Sequence, residues 1–193
     1  HSVTFLPLGR ALGYTMLLPD KEKYSTTRNE MLDQLAYMLG GRAAEEMVFH
    51  DPTTGAANDI EKATAVARAM VTQYGMTERL GAIKYGKDNG EVFLGMERGH
   101  ERDYSEEIAA AIDEEVRALI EQAHMEAYEI LFENRDILDQ LVLELLEKET
   151  LNKEEIATIF SATNKRPARP AWTGSDRRRT GAGPVDAPLR NGQ

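Results

Sequence analysis

The chain has 193 residues, 41% of them hydrophobic and 29% charged, with no cysteine and a formal net charge of −10. That composition suits one globular domain able to bury a sizeable core, and it excludes disulfides, thiolate metal sites and a cysteine nucleophile. From Lys165 onward seven basic residues face two acidic ones, net +5, whereas residues 1–164 carry 16 basic and 31 acidic side chains, net −15, so the body repels nucleic-acid phosphates.

Residues 3–18 read as a hairpin: β-branched and aromatic "VTFLP", a glycine turn in "LGRA", then the apolar "LGYTMLL". Pro7 favours an edge position for the first strand, and Pro19 ends the second. An apolar edge strand is also a place where an extended peptide can pair through backbone hydrogen bonds. The opening residues lack the basic and long apolar regions of a signal peptide. No apolar run approaches the roughly 18 residues of a membrane span. The chain does not begin with Met, which suggests a piece of something longer.

The rest reads as helix. Thr27 and Glu30 form a capping box ahead of Met31, Leu32, Leu35, Met38 and Leu39 at helical spacing. Gly40 and Gly41 in mid-helix cost about 1 kcal/mol each against alanine, which points to close approach by another backbone, as do Ala43 and Ala44. Asn58 with Glu61 repeats the capping pattern. It opens a helix with Ile60, Ala63, Thr64, Ala67, Met70, Val71 and Tyr74 on one face, ended by Gly75 at C′. Residues 76–104 read as a surface loop with a small hairpin. Ser105 caps a long helix striped by Ile108, Ile112, Val116, Leu119, Ile120, Ala123, Ala127, Ile130 and Leu131. Asn134 caps the next, with Ile137, Leu138, Leu141, Val142, Leu145 and Leu146. Asn152 and Glu155 cap a short last one, with Leu151 stapled onto Ile156. Acidic outer faces and aliphatic inner ones make this a mainly α helical bundle with a small N-terminal β-hairpin. Beyond Phe160 the pattern stops. Residues 165–193, rich in Pro, Gly and Arg around a lone Trp172, read as a disordered basic tail to a 1–164 domain. The tail reads as a solvated end, with contact to an acidic surface as the alternative.

Candidate chemistry is sparse. There is no P-loop and no G-x-S-x-G elbow. Of His1, His50, His100 and His124, no two have the i, i+4 spacing that lets imidazoles share a zinc, and His124 reads as exposed. The carboxylates say more. Glu45 and Glu46 sit late in the first long helix beside small residues. Asp59 stands at the first position of the next helix, behind "TTGAAN". A first-turn Asp complements the helix dipole, which is its ordinary reading. The other reading is that Asn58 does the capping and Asp59 turns to bind a cation.

The ordered blocks "GRALGYTMLLP", "LGGRAAEEMVF", "TTGAANDIEKATAVARAMVTQYGM", "GEVFLG" and "IDEEVRALIEQA" resemble the peptidase domain of the FtsH family of membrane-anchored, ATP-dependent zinc metalloproteases, from about Val3 to Phe160. The detail resembles a bacterial member. The resemblance implies a helical peptidase domain whose zinc is held by two histidines of an H-E-x-x-H helix and by the aspartate of "G-A-x-N-D", here Asp59. It implies a supporting role for Glu45 or Glu46, orienting a ligand. It also places Gly13, Tyr14 and Thr15 beside the cleft, where substrate adds as a strand. H-E-x-x-H itself does not occur in the 193 residues. The resemblance therefore implies an N-terminally truncated peptidase, inactive alone. The parent would be a homo-hexamer on the cytoplasmic face of the bacterial membrane, with ATP and magnesium in an ATPase module and a membrane segment upstream. It would degrade unfolded or membrane proteins and use no nucleic acid. The alternative is a non-catalytic helical oligomerisation or adaptor module.

Overall fold

The computed structural model describes residues 2–4, 14–16, 25–86, 103–175 and 177–181. The expected mainly α bundle is what forms. Strands β1 (Ser2–Thr4) and β2 (Tyr14–Met16) are followed by helices α1 (Arg28–Phe49) and α2 (Ala57–Thr72), the latter entered through a 3-10 turn at Thr54–Ala56. Helix α3 (Glu106–Glu133), α4 (Arg135–Lys148), strand β3 (Thr150–Leu151) and α5 (Lys153–Ile159) complete the order. No described helix is long and apolar enough to cross a membrane.

Helices α1, α2 and α3 build the main core. Leu35, Met70, Val71 and Ile112 are its most enclosed large side chains, ringed by Leu32, Leu39, Val116 and Leu119. Alanines set the close spacing: Ala63 and Ala67 line the α2 face, and Ala43 meets Ala127 between α1 and α3. Helix starts are fixed locally. Thr27 and Glu30 form the expected reciprocal box, as do Asn152 and Glu155, and Ser105 Oγ accepts from the Ile108 amide.

Several expectations need correction. The antiparallel pairing of β1 with β2 stands, with Ser2 opposite Met16 and Thr4 opposite Tyr14. The first strand is nevertheless central, because β3 pairs with its other side, Val3 opposite Leu151. The edge strands are β2 and β3. Pro7, Pro19 and the "LGRA" turn lie outside the described residues, as do residues 87–102 of the 76–104 loop in which a small hairpin is expected; its described residues 76–86 and 103–104 form no strand. A Cβ added at Gly40 or Gly41 meets nothing within 4 Å among the described residues, so no close approach explains them. Gly75 is different. It adopts φ +59° two residues beyond the α2 C-cap rather than one, and a Cβ there meets the Ala82 Cα at 2.5 Å. Ile60 and Tyr74, expected on the buried α2 face, are exposed. Asn134 stands at the N-cap of α4 but makes no capping bond. Its Nδ2 donates to the Ile130 carbonyl at 2.8 Å, and its Oδ1 accepts from the Asn164 amide at 2.8 Å.

Helix α4 covers less than its stripe suggests. Ile137 is buried with Leu151 and Ile159 in a second small core, against which Leu141, Leu145 and Ile156 pack. Leu143 and Leu146 are 67% and 66% exposed, leaving an open apolar face. The described residues from Lys165 form no helix or strand. Two arginines of its described part lie against acidic residues of the chain itself: Arg166 pairs with Glu129 and Glu133, and Arg169 with Glu126 and Asp33.

Candidate functional site

The site is organised by how α1 ends and α2 begins. Helix α1 stops at His50, whose left-handed φ of 55° turns the chain, and whose Nδ1 lies 3.1 Å from the Glu46 carbonyl oxygen. Three residues later Thr53 is caught from behind. Its amide donates to Glu45 Oε2 at 3.0 Å, and its hydroxyl donates to Glu45 Oε1 at 2.7 Å. The same Thr53 oxygen accepts from the Gly55 amide at 3.1 Å and so caps the 3-10 turn. A Cβ on Gly55 would stand 3.2 Å from that oxygen, which accounts for glycine in this tight place. The hydroxyl of Thr53 and then its amide hold the Glu45 carboxyl below the usual carboxylate range, against a smaller opposing effect of burial.

Asn58 is therefore not the cap. Helix α2 starts at Ala57, Ala56 occupies the N-cap position without a side-chain bond, and Thr53 supplies the capping oxygen upstream. Asp59 consequently sits third in α2, not first. It is exposed on the first turn, and its carboxylate has no hydrogen bond or ion pair among the described residues. The positive end of the helix favours an anion there. A carboxylate with nothing to give up suits a ligand: its oxygens are free for a cation, with zinc–oxygen distances of about 2.0–2.2 Å. As one ligand Asp59 fits. A full set does not form, since no group of three His, Cys, Asp or Glu able to hold a metal comes together among the described residues.

Glu46 points elsewhere. Burial would raise its carboxyl, but the Arg42 guanidinium and the His124 imidazole hold it below the usual range. His124, read as exposed, is half-buried instead. Its Nε2 is enclosed 2.8 Å from Glu46 Oε2 without a well-aligned hydrogen bond, so the contact is electrostatic and ties α3 to α1. The pair opens onto a groove of about 430 Å³ also lined by Glu121, Met125 and Tyr128. Of the two neighbouring glutamates, only Glu45 touches the loop leading to Asp59. Among the candidate strand residues, Tyr14 and Thr15 lie in β2 at the sheet edge and Gly13 lies outside the described residues.

Sequence reasoning missed Thr53 as the cap. The available signal was the Thr-Thr-Gly run, since a hydroxyl two residues before glycine commonly bonds its amide. The Glu46–His124 pair had no local signal.

The model of Peptidase family M41 matches residues 1–159. The chain is 58% identical over 178 residues to the "ATP-dependent zinc metalloprotease FtsH" of Cutibacterium acnes (strain SK137), covering 92% of this chain and 25% of that protein. It is 55% identical over 167 residues to the protein of the same name from Mycobacterium tuberculosis (strain ATCC 25618 / H37Rv), covering 86% and 22%. With the protein of that name from Rubrobacter xylanophilus it shares 47% identity over 171 residues, covering 88% and 26%. The chain thus spans about a quarter of the length of the curated relatives it matches. With the family model running from the first strand to the end of α5, on a helical bundle, this chain belongs to peptidase family M41.

Proposed function

We propose that this chain is the peptidase portion, residues 1–164, of an ATP-dependent zinc metalloendopeptidase, and that Asp59 is its third zinc ligand. The observation that carries the reading is the Asp59 carboxylate on the first turn of α2, unpaired among the described residues, behind a loop that Glu45 clamps through Thr53. Two histidines and a general-base glutamate complete the site from an H-E-x-x-H helix outside the 193 residues. When bound, zinc polarises a scissile carbonyl and lowers the pKa of a water. The chain's own contribution is placement. Asp59 offers a fixed oxygen, Glu45 orients the loop that carries it, and the edge of β2 at Tyr14 and Thr15, unpaired among the described residues, accepts an extended protein substrate.

The names of the relatives support zinc and ATP dependence. The finer reading is that the parent forms a homo-hexamer anchored at the cytoplasmic face of a bacterial membrane. There it degrades unfolded or membrane proteins, using ATP and magnesium bound by a separate ATPase module. The second reading, a helical assembly module, is favoured by the open apolar face of α4 at Leu143 and Leu146.

The test has two arms. The 193-residue chain by itself cleaves neither casein nor a labelled peptide, with or without zinc; chelator-sensitive cleavage by it overturns the division of the site. In the intact protease that contains this chain, Asp59→Asn lowers zinc content measured by mass spectrometry and abolishes proteolysis while ATP hydrolysis persists. Full zinc occupancy in that variant removes Asp59 from the ligand set.

A further inference from the structure

The described C-terminal segment lies along α3 in the opposite direction to the helix. It is anchored where α3 ends: the Asn164 amide donates to Asn134 Oδ1 at 2.8 Å and Asn164 Nδ2 donates to the Glu133 carbonyl at 3.3 Å. Arg166 follows, its Nη2 donating to Glu129 Oε2 and Glu133 Oε1, both at 3.0 Å. Arg169 then grips Glu126 two-pronged, at 2.9 and 2.8 Å, and reaches Asp33 on α1 at 2.7 Å. Trp172 sits over the Arg28 guanidinium, 4.5 Å from ring centroid to Cζ, and Ser175 Oγ donates to Glu78 Oε1 at 2.8 Å in the loop after α2.

The spacing and residue types of the segment match what lies beneath. Both gripping arginines immediately precede a proline, Pro167 and Pro170. A following proline biases a residue to extended backbone, so the two guanidinium groups are held apart before docking. Three residues of extended chain span about 9 Å. Along α3, the step from Glu126 to the midpoint of Glu129 and Glu133 is about 7.5 Å at 1.5 Å per residue. Long side chains absorb the small difference. The Arg169 and Glu126 side chains are only 20% and 19% exposed, and a bidentate, partly desolvated pair is worth more than a surface ion pair. Between segment and helix runs a groove of about 740 Å³, with Gln122 and Met125 supplying part of its floor.

We infer that the acidic face of α3 and the first turns of α1 form a docking groove for an arginine–proline peptide, and that the chain's own residues 164–175 occupy it in cis as a strap across α3, α1 and the loop after α2. The groove selects for arginine twice at a three-residue interval with proline after each, and for an aromatic ring three residues beyond the second arginine. Its strength is electrostatic, so the strap releases as salt rises. It also gives the −15 body an internal counter-charge along the C-terminal half of α3.

Trp172 is the chain's one tryptophan, which makes docking directly visible in the 193-residue protein. Trp172 is 39% exposed with one face on Arg28, so acrylamide quenching of its fluorescence at low salt is expected to be measurable but below that of a free indole. It should rise toward that of free N-acetyltryptophanamide in about 1 M NaCl, where the Debye length is about 3 Å. Glu126→Gln produces the same loss of protection at low salt, with far-UV circular dichroism unchanged, and Glu107→Gln at the far end of α3 does not. Should Glu126→Gln disturb the helix, Arg169→Gln carries the comparison, because it lies outside all helices. The charge swap of Glu126→Arg with Arg169→Glu, made together with Asp33→Asn to remove the like charge that would face the new glutamate, restores protection. Quenching indifferent to salt and to Arg169→Gln overturns the strap. Protection that appears only as protein concentration rises overturns docking in cis in favour of a neighbour's segment.

Discussion

Thr53→Ala is the sharpest probe of the loop that presents Asp59. The substitution deletes one oxygen that does two things: it donates to Glu45 at 2.7 Å and accepts from the Gly55 amide at 3.1 Å. Thr53 and Gly55 are exposed, so water takes over the freed amide and no buried group is stranded. The cost is then that of a lost N-cap, about 1 kcal/mol. For a chain of this size that corresponds to a fall in melting temperature of about 2–4 °C. Thermal unfolding followed by circular dichroism measures it, and hydrogen exchange at the Gly55 amide localises it. Thr53→Ser keeps the oxygen and should recover most of the loss. If Thr53→Ala melts within about 1 °C of the wild type, or Thr53→Ser is equally damaged, the clamp is not what holds this loop. In the intact protease the same substitution is expected to reduce activity about 10-fold or more, the usual effect of disturbing a group that orients a metal ligand.

The clamp should also titrate. Glu45 is held below its ordinary pKa of 4.5 by Thr53, so its contribution is complete above that value and is lost as pH falls through the lower folded-state value. Exchange at the Thr53 and Gly55 amides, corrected for intrinsic rates, should lose protection there, and protection unchanged into strong acid refutes it. Leu35→Ala, in the fully enclosed centre of the three-helix core, should cost about 2–5 kcal/mol in urea unfolding with an unchanged m-value; less than 1 kcal/mol would mean the core there is loose. Two glycines should respond oppositely. Gly75→Ala is strained by its φ of +59° and by the Ala82 backbone 2.5 Å away, and should destabilise by about 1–3 kcal/mol. Gly40→Ala enters open space inside a helix and should stabilise by about 0.5–1 kcal/mol, as read from paired melting curves.

What could be read from the sequence depended on how far apart the cooperating residues lie. The boxes at Thr27–Glu30 and Asn152–Glu155 were legible because each closes within one helical turn. The Asn58–Glu61 pattern had the same form and failed. The chain had already begun to wind one turn earlier, under a cap whose partner, Glu45, belongs to the preceding helix. Helical periodicity put Ile60 and Tyr74 on the same face as Met70, yet the bundle covers α2 only from Ala63 to Thr72, leaving Ile60 in the first turn and Tyr74 beyond the C-cap exposed. Strand β3 was invisible because two residues carry no period, and its pairing is with Val3 and Thr4, far away in the chain. For Asp59 the local reading left two roles open, and the resemblance of the surrounding block favoured the ligand. The arginines of the C-terminal segment looked like a solvated run, because nothing local announces the glutamates of α3 that meet them.

The central position of β1 has a consequence for how the molecule assembles. Helices α1, α2 and α3 meet across shorter stretches of chain than β1, which must find Thr150 and Leu151 from the opposite end of the fold. Closing so long a loop is slow and is rewarded only once the bundle already holds α4 and α5 nearby. The three-stranded sheet should therefore be the last element to form and the first to open. The β2 edge hangs on β1, and β1 on the α4–α5 junction, so a disturbance at Leu151, besides loosening α4 and α5, should be felt at Tyr14 and Thr15 while the core of α1, α2 and α3 holds.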